Sequence, residues 1–325
     1  MPRYMGSRAW HFRATQQSAV AQGGWMRPLQ RHRAVFVPRG PRLLVSFDTM
    51  DAQLKPPPRR PWAWDLAETA GWSHLGLMAG PVNDWYRQRA VLDFFDALRD
   101  TCFFLQFDDV VFYGSSMGGF AACTFVASAP GARVVAISPQ STLLAGLVPF
   151  ERRYPAGQKY GDWTDPRYLD AASCLTLARS TAVLVDPYHA VDTAHVARLP
   201  AQRLTVLRCA FMGHRIPHQL AGMGGFSTLM RGIIEGQGDA ESFAAHLQRR
   251  KTSGSYHKAL AKALLAREHP ALAAQVLKRY RSLPDATPVP LLAARVARQL
   301  GVTAGLADQR PRIRGSSASR SPSPR

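Results

Sequence analysis

Two adjacent serines between glycines, Gly114-Ser115-Ser116-Met117-Gly118, form the stretch of this chain best suited to nucleophilic chemistry. The spacing is G-x-S-x-G, after an apolar run (DVVFYG) that predicts a strand and before a segment (MGGFAACTFVASA) that predicts a helix. Such a turn strains the backbone of its central residue and needs small residues two positions away on either side. We predict that Ser116 is a nucleophile and that Ser115 is structural. The competing interpretation is an ordinary Gly/Ser loop.

A nucleophilic serine needs a base and an acid that orients the base. After a strand-turn-helix nucleophile, the acid comes next in the chain and the histidine last. His214 follows the apolar run LTVLRCA and is the predicted base, with His218 as the fallback. Asp186 ends the run AVLVD at a predicted strand tip and is the preferred acid. Asp192, which precedes Thr193, is assigned as a helix N-cap and is the alternative acid.

The negative charge that develops on a carbonyl oxygen during serine attack needs two N–H donors. Met117 is predicted to supply one, because it directly follows the nucleophile at a helix N-terminus that favours negative charge. Thr49, after the run RLLVSFD, is predicted to supply the other, with Asp48 and Met50 as its neighbours. A carboxylate facing the oxyanion would oppose the reaction, so Asp48 must point away or be paired.

The segments around these residues alternate between strand-like and helix-like patterns. Continuous apolar runs predict strands at residues 42–48, 73–80, 109–114, 132–138, 180–186 and 203–210. Helical patterns follow at residues 84–100, 117–129, 193–200 and 219–234. The short run AVFV at 34–37 is assigned as a hairpin partner of the first strand. This alternation predicts the α/β fold class: a mostly parallel central sheet with helices on both faces.

Composition divides the chain into four parts. We predict a disordered basic tail at 1–33, the α/β domain at 34–238, a small helical appendage at 239–305 and a disordered Arg/Ser/Pro-rich tail at 306–325. The appendage resembles one or two tetratricopeptide-like hairpins. Inside the α/β domain the alternation lapses at about 140–175, which predicts a lid-like insertion.

Four aromatic residues near the predicted cleft are candidates for stacking on a sugar or an acyl chain. They are Trp85, Tyr86, Tyr160 and Trp163. The competing interpretation is packing in the core or the lid, which accounts for most aromatic side chains.

The formal net charge of +19 is concentrated near the two ends of the chain. Residues 1–47 hold eight arginines and residues 309–325 hold five, and neither segment contains Asp or Glu. These segments account for 13 of the 19 excess charges, so the middle of the chain has no strongly basic face. We therefore predict no specific nucleic-acid partner.

Other patterns limit the compartment and the cofactors. The four cysteines are widely spaced, which favours reduced thiols and a cytoplasmic location. No run of about 18 apolar residues predicts a transmembrane helix, and no secretory signal is expected. The Arg-rich start resembles a transit peptide, but a loose tail or a start codon assigned too early is preferred. No phosphate-binding loop and no zinc-ligand spacing is present, so neither a cofactor nor a metal is predicted.

The motifs YGSSMGG, VLVDP and MGHRIPH resemble those of the α/β-hydrolase superfamily over about residues 34–235. GPVNDWYRQ, YGSSMGGFAA and AISPQ are together similar to a bacterial branch of serine esterase-like proteins, associated with surface-glycan modification and accessory secretion. The resemblance implies an acyl-enzyme mechanism in which a Ser-Asp-His triad acts on ester bonds. Hydrolysis, deacetylation and acyl transfer, on a small-molecule or glycan ester, all remain open. The alternative function is a non-catalytic protein that docks on a partner through its C-terminal helices.

Overall fold

The computed structural model describes residues 10–54, 56–237 and 240–301. The chain divides into two compact units, the first ending at Tyr256 and the second starting at His257. The predicted boundary after residue 238 therefore lies too early in the chain. The predicted tail at 306–325 lies outside the described residues, as do the first nine residues of the predicted N-terminal tail.

The first unit contains an eight-stranded sheet that confirms the predicted α/β class. The strands are β1 (Trp25–Leu29), β2 (His32–Val37), β3 (Arg42–Phe47), β4 (Ser73–Met78), β5 (Asp109–Ser115), β6 (Arg133–Ile137), β7 (Ser180–Val185) and β8 (Leu204–Arg208). Their order across the sheet is β1-β2-β4-β3-β5-β6-β7-β8. Strands β3 to β8 are parallel, and β2 is antiparallel to both β1 and β4.

Helices follow most strands of the first unit. They are α1 (Trp10–Ala21), α2 (Trp64–Ala70), α3 (Arg89–Asp100), α4 (Met117–Phe125), α5 (Pro155–Tyr160), α6 (Ala171–Cys174), α7 (Ala190–Ala197), α8 (Ile216–Gly222), α9 (Phe226–Glu235) and α10 (Ala240–Leu247). Helix α11 (Gly254–Ala266) crosses the boundary between the units, and α12 (Pro270–Arg281) and α13 (Pro290–Gln299) belong to the second unit. No helix of the described ranges has the length and apolarity needed to span a lipid bilayer.

The segment at 10–33 is ordered and corrects the predicted disordered tail. It forms α1 and β1 and starts β2, and Phe12 and Ala19 of α1 pack with Val35 and Trp64 in a small apolar cluster. Half of the twelve residues of α1 are apolar, but three of these six are alanines, so its sequence shows no clear period. Strand β2 pairs with β1 and β4, so the predicted hairpin with β3 is wrong.

Stacked phenylalanines hold the helix that follows β5 against the sheet. Phe47 of β3 and Phe95 of α3 both stack on Phe125 of α4, with ring centroids 5.7 and 4.2 Å apart. All three side chains are fully buried. Because burial of such rings contributes strongly to stability, this cluster holds the C-terminal end of α4 against the sheet.

The second unit has its own apolar core. Buried residues of α11, α12 and α13 and of the connection between the last two helices form it: Ala261, Leu265, Ala273, Leu277, Tyr280, Leu283, Leu292 and Val296. The Tyr280 hydroxyl donates to the Thr287 carbonyl at 2.6 Å and accepts from the Thr287 N–H at 2.7 Å. These contacts fix the connection between α12 and α13.

Candidate active site

The turn between β5 and α4 has the strained geometry that its sequence predicts. Ser116 adopts φ 53° and ψ −119°, which a residue with a side chain rarely adopts. A Cβ atom on Gly114 would lie 2.2 Å from the Gly118 carbonyl oxygen, and one on Gly118 would lie 2.5 Å from the Phe47 carbonyl oxygen. Only glycine fits at these two positions, and the turn projects Ser116 from the strand end.

Three side chains from separate segments of the chain meet at this turn. Nε2 of His214 lies 2.9 Å from Oγ of Ser116, and Nδ1 of His214 lies 2.7 Å from Oδ2 of Asp192. Ser116 follows β5, Asp192 lies in α7 after β7, and His214 lies in the loop after β8. The chain order is therefore serine, acid, histidine, and the serine in contact with the histidine is Ser116.

The contacts of the imidazole fix its tautomer. A carboxylate can only accept, so the proton of neutral His214 lies on Nδ1 and is donated to Asp192. The unprotonated Nε2 then faces the hydroxyl of Ser116. This arrangement lets the imidazole take the hydroxyl proton.

Asp186, the preferred acid in the sequence analysis, does not contact His214, and the structure reverses that preference. Its carboxylate accepts backbone N–H groups of Tyr188 at 2.9 Å, Phe211 at 3.0 Å and Gly213 at 2.7 Å. Asp186 thus ties the end of β7 to the loop that carries His214. The carboxylate of Asp186 at the strand tip holds the backbone, and the carboxylate of Asp192, in the first turn of the next helix, reaches the imidazole.

Asp192 also differs from its predicted role as a helix cap. The N-cap of α7 is His189, whose Nδ1 accepts the Asp192 N–H at 3.3 Å, and Asp192 lies in the first turn with a fully buried side chain. Burial alone would raise the pKa of Asp192. The hydrogen bond with His214, together with the charges of His214, His189 and Arg153, outweighs burial and lowers this pKa, so the carboxylate stays ionised.

A buried ionic network extends from Asp192 into the predicted insertion. Arg153 donates to Oδ1 of Asp192 at 2.8 Å and to the Glu151 carboxylate at 2.6 Å. The same carboxylate lies 3.0 Å from Nε2 of His195, whose Nδ1 accepts the Ser141 N–H at 3.1 Å. Burial would raise the pKa of Glu151, but hydrogen bonds from His195 and Arg153 lower it to about 2. No pattern in the sequence predicts a role for Glu151, Arg153 or His195.

Tyr154 is a further residue that the sequence analysis missed. Its hydroxyl lies 3.0 Å from Nε2 of His214. Its ring packs on the Trp85 ring, with centroids 4.8 Å apart. The only sequence signal for Tyr154 is its position before Pro155, the first residue of α5. That signal predicts a helix start and no chemistry.

The predicted oxyanion donors lie next to the turn. Met117 is the first residue of α4, so its N–H has no acceptor within the helix. Thr49 and Ser116 line the same cavity of about 430 Å³, together with Tyr154 and His214. His218, the fallback base, also lines this cavity, but His214 makes the contact with Ser116.

Asp48 is paired, as the oxyanion argument requires. Its carboxylate accepts from Arg59 at 2.8 Å and from the backbone N–H groups of Trp62 at 2.8 Å and Ala79 at 3.2 Å. The positive charge of Arg59 balances that of Asp48 beside Thr49, and the three hydrogen bonds together fix the loop after β3.

The four aromatic residues proposed to contact substrate lie outside the cavity lining. Trp85 and Tyr86 are 1% and 0% exposed and belong to the core, which contradicts their predicted role. Trp163 packs against Phe120 of α4 and donates to the Gly157 carbonyl at 2.9 Å. The Tyr160 side chain is 47% exposed at the end of α5. The aromatic character of these four residues did not by itself distinguish packing in the protein from binding of substrate.

Within the ranges that the structure describes, no group of three or more His, Cys, Asp or Glu side chains is arranged to hold a metal ion. The mouth of the cavity carries charged side chains instead. Arg215 and Asp51, both exposed, approach each other to 3.8 Å on its rim.

Comparisons with known proteins give distant structural similarities. No family model matches the chain, and no curated protein matches its sequence. The capsule O-acetyltransferase of Neisseria meningitidis serogroup A has a TM-score of 0.45 and 13% identity, covering 66% of this chain and 95% of its own. An esterase/lipase from an uncultured bacterium has a TM-score of 0.46 and 13% identity, covering 68% and 85%. A glycosylation-associated protein complex from Streptococcus agalactiae has a TM-score of 0.41 and 14% identity, covering 66% and 46%.

The chain's own architecture defines its class. A mostly parallel sheet, a serine on a strained strand-to-helix turn, and the chain order Ser116, Asp192, His214 together make the α/β-hydrolase fold. The fold class predicted from the sequence is confirmed.

Proposed function

We propose that this protein is a serine-dependent enzyme that acts on ester bonds through a covalent acyl-enzyme. The observation that carries the proposal is the hydrogen-bonded series from Ser116 through His214 to Asp192 at the edge of an open cavity. A nucleophile, a base and an acid that orients the base are the parts that this chemistry needs.

In the acylation step, Nε2 of His214 takes the proton of Ser116 while Oγ attacks the ester carbonyl carbon. The carbonyl oxygen becomes negatively charged and is held by the N–H groups of Met117 and Thr49. The protonated imidazole, stabilised by Asp192, then gives its proton to the leaving alcohol. The acyl group remains on Ser116.

In the deacylation step, an acceptor oxygen attacks the acyl carbon after His214 takes the acceptor's proton. Water gives hydrolysis and an alcohol gives acyl transfer. We propose a hydroxyl-rich substrate, such as an acetylated glycan. The charged rim formed by Asp51 and Arg215 supports a polar substrate, and the cavity of about 430 Å³ has the size of a small-molecule site.

A fluorophosphonate probe tests the proposal directly, because it forms a stable bond only with an activated serine. We expect the wild-type protein to be labelled and mass spectrometry of its peptides to place the label on Ser116. Absence of labelling, together with no turnover of p-nitrophenyl acetate, would contradict the proposal. That result would favour the non-catalytic interaction protein.

A further inference from the structure

Tyr154 has no place in the three-residue mechanism, yet its hydroxyl lies among the reacting atoms. The residue comes from the segment between β6 and α6, far in sequence from the other members of the site. Its ring is held by the Trp85 ring on one side, and the Arg153 guanidinium lies 5.0 Å from its centroid. Because Arg153 is itself bound to Asp192, the ring has a fixed position relative to His214.

The tautomer of His214 determines what Tyr154 can do. Nε2 has one lone pair, and hydroxyls of both Ser116 and Tyr154 approach it, at 2.9 and 3.0 Å. Ser116 donates its proton to Nε2 during attack, so Tyr154 is left to donate to an oxygen beside Nε2. Burial raises the pKa of Tyr154 despite the opposing effect of the Arg153 charge, so the phenol keeps its proton at neutral pH.

The oxygen beside Nε2 changes during the reaction. In the free enzyme it is Oγ of Ser116. In acylation it is the oxygen of the leaving alcohol, which receives the proton from Nε2, and in deacylation it is the oxygen of the incoming acceptor. A donor 3.0 Å from Nε2 therefore faces the place where both alcohols must lie.

We propose that Tyr154 is a catalytic residue that donates a hydrogen bond to the oxygen of the leaving alcohol in acylation and to the oxygen of the incoming acceptor in deacylation. This inference rests on the proposed function. In deacylation Nε2 takes the acceptor proton, the acceptor oxygen bonds to the acyl carbon, and the bond from that carbon to Oγ of Ser116 breaks. The proton on Nε2 then passes to Oγ, and Tyr154 keeps its own proton throughout.

The test is Tyr154→Phe, which removes only the hydroxyl, assayed with p-nitrophenyl acetate and with glycerol as the acceptor. p-Nitrophenolate leaves without needing a proton, so we expect the burst of acylation to stay within about threefold of wild type. Loss of one hydrogen bond to a charged transition state predicts a 10- to 100-fold slower steady-state rate. With ethyl acetate, whose alcohol needs a proton to leave, acylation itself should slow.

Tyr188→Phe is the matched control, because that side chain is 51% exposed and stacks on Phe211. It should change neither the burst nor the steady-state rate. An unchanged steady-state rate in Tyr154→Phe would overturn the inference about Tyr154 alone. A Tyr154→Phe protein without a burst would also overturn it, since the hydroxyl would then serve acylation or folding in general. A wild-type protein without burst or probe labelling would instead overturn the proposed function.

Discussion

The two sides of the candidate active site are built in different ways. On one side, the turn between β5 and α4 positions Ser116 through steric contacts among neighbours in the chain, such as Gly114 and Gly118. On the other side, Arg153 and Tyr154 reach the site through contacts with residues 39 and 60 positions away. The first side is encoded locally and can be recognised from its spacing. The second side depends on tertiary contacts, and only the folded chain reveals it.

The largest expected effect is on the locally encoded side. Ser116→Ala removes the nucleophile, so we expect probe labelling to disappear and kcat to fall on the order of 10⁶-fold. The comparison variant is Ser115→Ala, because Ser115 lines the same cavity but Ser116 makes the contact with His214. Turnover of p-nitrophenyl acetate measures both.

Ser115→Ala should keep its labelling and most of its activity. If Ser115→Ala lost activity and Ser116→Ala kept it, the assignment of the nucleophile within this turn would be wrong. Thermal melting of both variants checks that neither change has unfolded the protein.

The next largest effect separates the two aspartates. Asp192→Asn keeps the size of the side chain but cannot hold the proton of His214 on Nδ1, so we expect kcat to fall on the order of 10⁴-fold. Asp186→Asn disturbs only the hydrogen bonds that the Asp186 carboxylate accepts from backbone N–H groups. We therefore expect kcat to fall by no more than about 10- to 100-fold.

Proton NMR of the His214 imidazole distinguishes Asp192 from Asp186 independently of the activity assay. The downfield proton signal of Nδ1–H should be lost in Asp192→Asn and kept in Asp186→Asn. The opposite pattern would restore Asp186 as the orienting acid.

The sequence predicted the parts of the site that depend on strand ends. Apolar runs located the six parallel strands, and the serine and histidine follow from their positions after β5 and β8. The order of acid and histidine was also predictable, but the identity of the acid was not. Asp186 and Asp192 both follow β7, and the choice depends on how the loop at 209–213 folds back over the strand tip. That loop donates two N–H groups to Asp186, which occupies its carboxylate.

The sequence predicts an insertion at about 140–175, but it did not predict that residues of this segment contribute to the site. The stretch ERRYP has no hydrophobic period, and a run of charges most often lies on a solvated surface. Here the Glu151 side chain is fully buried, because Arg153 and His195 form ion-pair and hydrogen-bond contacts with its carboxylate. Burial of a charge depends on partners from distant segments, which spacing in one segment cannot reveal.

A smaller effect tests the ionic network of the insertion. Because the pKa of Glu151 in the folded protein is about 2, below its ordinary value of 4.5, its stabilising contribution is complete above pH 4.5. That contribution is lost as the pH falls from 4.5 towards 2. Glu151→Gln should therefore lower the free energy of unfolding by about 2 kcal/mol at pH 7. The difference from wild type should shrink between pH 4.5 and pH 2.5.

Urea unfolding at pH 7, 4.5 and 2.5 measures this difference. Asp65→Asn is the control, since Asp65 also pairs with an arginine, at 2.8 Å, but is 83% exposed. An exposed pair is worth about 0 to 1 kcal/mol, so this variant should remain close to wild type. A Glu151→Gln protein as stable as wild type at pH 7 would show that the network adds nothing to the fold.

The smallest expected effect is that of Tyr160→Ala, and Trp163→Ala is its contrast within the same segment. Tyr160 is largely exposed and lies outside the cavity lining, whereas Trp163 packs on Phe120 of α4. Tyr160→Ala should therefore change turnover of p-nitrophenyl acetate by less than about twofold and leave the melting temperature unchanged. Trp163→Ala should lower the free energy of unfolding by about 3 kcal/mol, because it leaves a cavity beside α4. A large loss of activity in Tyr160→Ala towards an acetylated oligosaccharide, with p-nitrophenyl acetate unaffected, would show that the insertion also binds substrate beyond the cavity. The side of the site that depends on tertiary contacts, with Arg153 and Tyr154, would then govern substrate choice as well as the geometry around His214.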